Sequence, residues 1–172
     1  MDASKYSAVE TLRDGTRIEI RALRPDDQAA LMAALRRTSS QSLYLRFFGA
    51  KRDFTDKEVE FFLNIDFVNH VALVAVADEA DRSIIVGGGR YVMVEPGKAE
   101  LAFVVVDQYQ GRGIGGLLLR HLLVIARDAG LAELVADVLP SNAAMLNVFE
   151  KSGFQRSAKR EGGAVRVTLR SK

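Results

Sequence analysis

Polar and apolar positions alternate through residues 16–24 (TRIEIRALR), the period of a half-buried strand, and Pro25 closes it. Asp26 or Asp27 then stands where a helix cap is wanted, and the spacing that follows predicts an amphipathic helix to Arg37. Residues 39–49 (SSQSLYLRFFG) predict a short second helix stopped by Gly49. Thr55 with Glu58 three positions on forms a capping box for a third helix, to about Leu63. Residues 70–77 and 83–94 predict two strands around an Asp-rich turn; Pro96-Gly97 turns the chain again into a strand over 99–106. The longest helix is expected over 113–129, with Gly130 as its stop. A short strand over 133–138 ends before Pro140, and Ser141 or Asn142 caps a helix running to Gly153. Strands over 154–159 and 165–170, around Gly162-Gly163, close the chain. This order predicts a mixed α/β domain, helices covering a largely antiparallel sheet.

Composition adds mostly exclusions. The 172 residues suit one domain, with its core over about 16–170, and no repeat, low-complexity tract or linker divides them. The absence of cysteine rules out disulfides, thiolate metal sites and a cysteine nucleophile. His70 and His121 have no ligand-like spacing, so no metal site is expected. The longest apolar run, residues 117–126, is interrupted by Arg120 and His121, far short of the ~20 residues that span a membrane. The first ten residues lack the basic start and apolar core of a secretory signal, leaving a cytoplasmic location as the default. Net charge is +2, yet residues 51–97 carry five Lys/Arg against nine Asp/Glu, and residues 98–172 carry eleven against seven. Either these are two solvated faces, or an anion-binding half lies beside an acidic half suited to a basic partner. No basic run interleaved with aromatics is present, so nucleic-acid binding has no support.

The candidate chemistry lies in Gln110-Gly111-Arg112-Gly113-Ile114-Gly115-Gly116, between a strand and the longest helix. Glycines let backbone N–H groups converge on one point, and the first-turn amides and dipole of the helix add to them. That makes either a phosphate cradle, to which Arg112 can add a charge, or a tight turn required by packing. The P-loop is excluded because Gly115-Gly116-Leu117 lacks its Gly-Lys-Ser/Thr ending. A dinucleotide fold is disfavoured by the hairpin-linked strands that precede the turn and by the absence of G-x-G-x-x-G spacing. On the long helix, Arg120, His121, Arg127 and Asp128 fall within about 100° of arc, which predicts a wet face holding His121.

Gln110-x-x-Gly113-x-Gly115 after AELAFVVVD resembles the Q/R-x-x-G-x-G/A acyl-CoA signature of the GNAT superfamily of N-acetyltransferases. The likeness continues through residues 117–129 and LPSNAAMLNVFEKSGF, and the element order fits from about residue 16 to 169. Within the superfamily, RALRPDDQ, SLYLRFFG and AELAFVVVDQYQGRGIG look like the catalytic domain of bacterial Pat-type protein lysine acetyltransferases. The resemblance implies a mostly antiparallel twisted sheet whose splayed strand pair forms an acyl-CoA cleft. It implies acetyl-CoA as co-substrate, its pyrophosphate on the amides of Arg112, Gly113, Ile114, Gly115, Gly116 and Leu117, next to Gln110 and Gly111. The pantetheine arm would pair with the backbone of Val104, Val105 and Val106 and meet Asn142, which the bare sequence reads as a helix cap.

By alternation Glu100 shares a strand face with Ala102, Val104 and Val106, so partial burial is expected to raise its pKa toward that of a general base; the alternative is a solvated strand-end glutamate. The Pat-type resemblance places the catalytic glutamate at Glu100. One departure stands out: many GNAT enzymes carry a tyrosine, thought to protonate the leaving thiolate, where this chain has Phe149. Tyr109 and Tyr91 are the stand-ins the sequence offers. The expected activity is direct acetyl transfer to an amine, preferably a lysine of a protein, with small-amine acetylation and a non-catalytic acyl-CoA sensor as rivals.

Overall fold

The computed structural model describes residues 1–47, 54–152 and 155–170. Eight strands form one sheet in the order β1-β2-β3-β4-β5-β6-β8-β7. They are β1 (Ser7–Thr11), β2 (Arg17–Ala22), β3 (His70–Glu79), β4 (Arg82–Glu95), β5 (Lys98–Val105), β6 (Glu133–Val138), β7 (Gln155–Glu161) and β8 (Ala164–Arg170). Every neighbouring pair is antiparallel except β5 and β6. Helices α1 (Gln28–Arg36), α2 (Ser40–Phe47) and α3 (Asp56–Leu63) precede β3; α4 (Ile114–Asp128) follows β5 and α5 (Ala143–Glu150) follows β6. Among the described residues no helix is long and apolar enough to cross a membrane. The expected helix ends at Gly49 and Gly153, and the strand start at Phe154, lie outside the described residues.

Alternation sorts the sheet into two faces. Gly87, Gly89, Tyr91, Leu101 and Phe103 point to the α4 side, where a Cβ on Gly87 would sit 3.3 Å from Ile114 and one on Gly89 3.1 Å from Leu122. Arg90, Val92, Glu100 and Ala102 therefore share the opposite face. On the first face Leu118, Leu119 and Leu122 of α4 are buried against Ile18, Ile20, Leu73 and Tyr91 in the core. The Gly87-Gly88-Gly89 run, to which the strand periodicity gave no role, lets α4 and β5 approach this closely.

Three expectations change. A strand, β1, occupies residues for which no element was expected. Its alternation is carried by SAVET, too short and too polar to stand out from a loop, and β2 recruits it as an edge. Asp27 does not cap α1 with its side chain. Its carboxylate instead accepts from the Arg24 amide at 2.7 Å and from both Arg21 guanidinium nitrogens at 2.8 and 2.9 Å. His121 is not on a wet face: it is 7% exposed, with its Nε2 2.8 Å from Glu10 on β1 and its Nδ1 2.5 Å from the Tyr6 hydroxyl. An ionised carboxylate only accepts, so Nε2 carries a proton toward Glu10. The polar arc of α4 was visible in the sequence; the segment that covers part of it was not.

The Thr55–Glu58 capping box forms as expected, Thr55 Oγ1 accepting from the Glu58 amide at 3.2 Å and Glu58 from the Thr55 amide at 3.1 Å. The close approach at Gly89 yields a prediction. A Cβ there would lie 2.7 Å from Phe103 Cδ1, whereas one on Gly88 meets only the Leu73 carbonyl oxygen at 3.6 Å. Gly89→Ala should cost roughly 1–3 kcal/mol of overpacking in urea denaturation, and Gly88→Ala far less. Equal effects of the two substitutions would refute this account of the α4 contact.

Candidate active site

The site begins where β5 and β6 part. Their parallel ladder pairs Lys98 with Glu133, Ala99 with Leu134 and Glu100 with Val135, then stops. Beyond it β6 stays on β8 to Val138, while β5 continues beside β4 to Val105. Residues 101–105 thus have a strand on one side and none on the other, and an unpaired edge carries polar groups that need a partner. Val104 and Val105 line this edge. Val106 does not: its amide is bound to the Val86 carbonyl at 2.9 Å, so it belongs to the turn that follows. Val86 is the extra residue of a bulge in β4, where Ala75 pairs with Gly87 but Val76 pairs with Ile85. The bulge fixes where β5 ends.

At the far end of the edge stands the glycine turn. Gly111 has φ +73° and Gly113, the residue capping α4, has φ +92°, a left-handed backbone suited to glycine. The first intrahelical bond runs from the Leu117 amide to the Gly113 carbonyl at 3.1 Å, so the amides of Ile114, Gly115 and Gly116 have no acceptor within the helix. A Cβ on Gly111, Gly113 or Gly116 would meet nothing within 4 Å. Packing therefore does not require these glycines; the backbone conformation does at Gly111 and Gly113, and the space above them is open.

Two side chains of the motif work differently from the simplest expectation. Gln110 donates through Nε2 to the Val105 carbonyl at 2.9 Å and to Ser42 Oγ at 3.0 Å, tying the end of β5 to α2. Arg112 turns its guanidinium to the β1–β2 turn, with Nε 2.8 Å from Asp14 and Nη2 2.7 Å from Thr16 Oγ1, and stacks 4.7 Å over the Tyr109 ring. It is the Arg112 backbone, not its charge, that stands in the cradle segment.

Glu100 is the last β5 residue of the ladder, at the crotch of the fork. The expected partial burial is wrong: Glu100 is exposed. Ala102 and Val104 are each only half-buried, because the edge that a longer β6 ladder would have covered is open. Below it, on the same face, lie cations that the periodicity did not single out. Burial pushes the Arg46 guanidinium down to about 10, against the opposing pull of Glu100. Burial and then the charge of Arg46 push Arg90 down to about 9. Arg90 donates to the Phe62 carbonyl at 3.3 Å in the last turn of α3, and its Cζ lies 5.0 Å over the Phe62 ring. Its Nη1 is also 3.0 Å from His70 Nε2. An arginine in the middle of β4, between a glycine run and YVMV, was the available signal for this cluster.

Asn142 caps α5 as the bare sequence suggested, its Oδ1 accepting from the Met145 amide at 3.2 Å, which leaves its amide nitrogen for other contacts. Phe149 is 1% exposed and packs edge-on to Phe103 at 6.1 Å. Neither tyrosine replaces it. Tyr91 is buried on the α4 face with its hydroxyl pushed up to about 12, and the Tyr109 hydroxyl donates to Glu79 at 2.8 Å. Among the described residues no group of His, Asp and Glu side chains is placed to hold a metal ion.

The sequence profile of the acetyltransferase (GNAT) family matches residues 32–154. An acetyltransferase of Pseudomonas aeruginosa is 31% identical over 147 residues, covering 85% of this chain and 79% of that protein. The acetyltransferase Pat of Mycolicibacterium smegmatis is 31% identical over 144 residues, 83% of this chain but 42% of Pat, so the chain spans less than half of that relative. Among solved structures, the GNAT domain of S. lividans PAT superposes with a TM-score of 0.87 at 32% identity, covering 96% of this chain and 97% of the other.

Two expected outcomes follow from the site. Gly113→Glu places bulk, strain and negative charge at a position of φ +92°, and should abolish acetyl-CoA binding in calorimetry; undiminished affinity in a folded variant would refute the cradle. His70 is pushed down from 6.5 to about 4, by burial and then by Arg90. The fold thus refuses a proton that the unfolded chain takes up between those values, so stability should fall as pH drops from about 6.5 to about 4. Urea titrations should show His70→Gln losing less stability than the unmodified protein across that window.

Proposed function

The chain belongs to the acetyltransferase (GNAT) family, and from that premise we propose that it transfers an acetyl group directly from acetyl-CoA to the side-chain amine of a protein lysine. GNAT enzymes use acetyl-CoA. The observation that carries the reading is the fork: an unpaired β5 edge runs from Glu100 at its crotch to the open glycine turn at its tip. In the proposed complex the pyrophosphate rests on the amides of the Arg112–Leu117 segment and the pantetheine arm pairs with the backbone of Val104 and Val105. The thioester then lies toward Glu100. Asn142 offers its amide nitrogen from the β6 side.

Glu100 acts as the general base. A lysine amine has a pKa near 10.4, so less than about one part in a thousand is deprotonated at neutral pH, and transfer requires removal of that proton. The amine attacks the thioester carbon, the tetrahedral species collapses, and the C–S bond breaks with its electron pair on sulfur. With Phe149 buried, sulfur departs as a thiolate or takes a proton from water; a thiol of ordinary pKa near 8.5 makes this viable. A covalent acyl-enzyme is not part of the scheme, because the chain has no cysteine.

Preference for a protein lysine is supported by the likeness to Pat and by acidic α3, whose Asp56 and Glu60 are exposed and suited to steering a basic surface. A cytoplasmic site of action fits a lysine-bearing protein acceptor. The test is Glu100→Gln, which keeps shape and removes basicity. A fall in kcat of roughly 10²–10⁴-fold with acetyl-CoA affinity little changed is expected, measured as CoA release against lysine peptides and small amines in parallel. Release with small amines alone would move the acceptor class, and CoA binding without release for any acceptor would make the chain a sensor.

A further inference from the structure

Arg112 carries the only side-chain charge of the glycine turn, and the structure spends it elsewhere. Two left-handed glycines flank it, Gly111 at φ +73° and Gly113 at φ +92°. Glycines have more backbone freedom to lose than other residues when a ligand fixes the segment. Against that freedom Arg112 is held from outside. Asp14, at the tip of the β1–β2 turn, accepts from its Nε at 2.8 Å, and Thr16 Oγ1 accepts from its Nη2 at 2.7 Å. Asp14 is itself fixed, its Oδ1 accepting from the Thr16 amide at 2.9 Å. The hydrogen bonds from Thr16 and then Arg112 hold its carboxyl down to about 2, so it is ionised at any working pH. The other face of the guanidinium lies over Tyr109, whose hydroxyl donates to Glu79, and Glu79 also accepts from Arg37 at 3.1 Å. The loop is thus clasped from the N-terminal hairpin on one side and from the β3–β4 turn and α1 on the other.

We propose that Asp14 is a positioning residue for the acetyl-CoA turn: by holding the Arg112 side chain outward it sets the cradle amides before the ligand arrives. The inference rests on the reading of that turn as a phosphate site. It differs in sign from the obvious alternative, in which Arg112 itself reaches the phosphates. If Arg112 is a ligand, Asp14 competes for it, and removing the carboxylate frees a cation and tightens binding. If Asp14 positions the turn, removing it loosens the amides and weakens binding, because pre-organisation is lost.

Calorimetric titration with acetyl-CoA of the unmodified chain, Asp14→Asn, Arg112→Gln and the double variant separates the two. Asparagine still accepts from the Thr16 amide, so the hairpin turn is kept, and Thr16→Val offers an independent loosening of the same clasp. Positioning predicts that Asp14→Asn weakens binding by about two- to fivefold, the scale of a half-exposed ion pair, with kcat at saturation within about twofold. The double variant should bind no worse than Arg112→Gln alone, since both act through one contact. Asp14→Glu should recover part of the loss. Unchanged or tighter binding in a folded Asp14→Asn variant overturns the proposal. Failure of the unmodified chain to bind acetyl-CoA is a different result: it overturns the phosphate site itself.

Discussion

The geometry of the site follows from one broken ladder. Parallel strands β5 and β6 share three residue pairs and then separate, because β6 keeps its full register on β8 while β5 keeps its register on β4. Beyond those three pairs β6 follows β8 and β5 follows β4, and the bulge at Val86 adds twist on the β4 side. The result is an open strand edge inside the body of the sheet rather than at its rim. At the rim such an edge would invite aggregation; here it lies between two longer strand pairings, with α4 packed beside it.

Rigidity on either side of the fork matters as much as the opening. On the α4 face, close approach at Gly87 and Gly89 seats Ile114, Leu118 and Leu122 directly on the strands, so the amides at the start of α4 are fixed relative to β5. On the other face Gln110 joins the Val105 carbonyl to Ser42, and Asp107 accepts from the Ser39 amide at 2.9 Å, so α2 is fastened to the same loop. In the proposed complex, binding energy from the phosphates would act on a site already formed.

Local signals made much of this readable in sequence. The capping box at Thr55 and Glu58, the stop at Gly130 with φ +78°, and the strand-to-helix glycine turn each depend on a few adjacent residues, and each forms as expected. What escaped the sequence is non-local. β1 is a strand because β2 offers it an edge, and His121 is buried because Tyr6 and Glu10, more than a hundred residues earlier, cover it. Glu100 was misjudged for the same reason. Alternation gives the face a side chain occupies, but exposure there depends on where the next strand departs, and that is a property of β6 and β8 rather than of β5.

The charge layout beneath the fork bears on the proposed chemistry. Arg46 and Arg90 are both half-buried; Arg46 feels the opposing charge of Glu100, and Arg90 is depressed by burial and then by Arg46. In the proposed transfer an amine arriving protonated meets the exposed carboxylate of Glu100. In that scheme Glu100 takes the proton and, being exposed, passes it to water. His70, held neutral beside Arg90 by the same burial and charge, adds no further positive charge to this region.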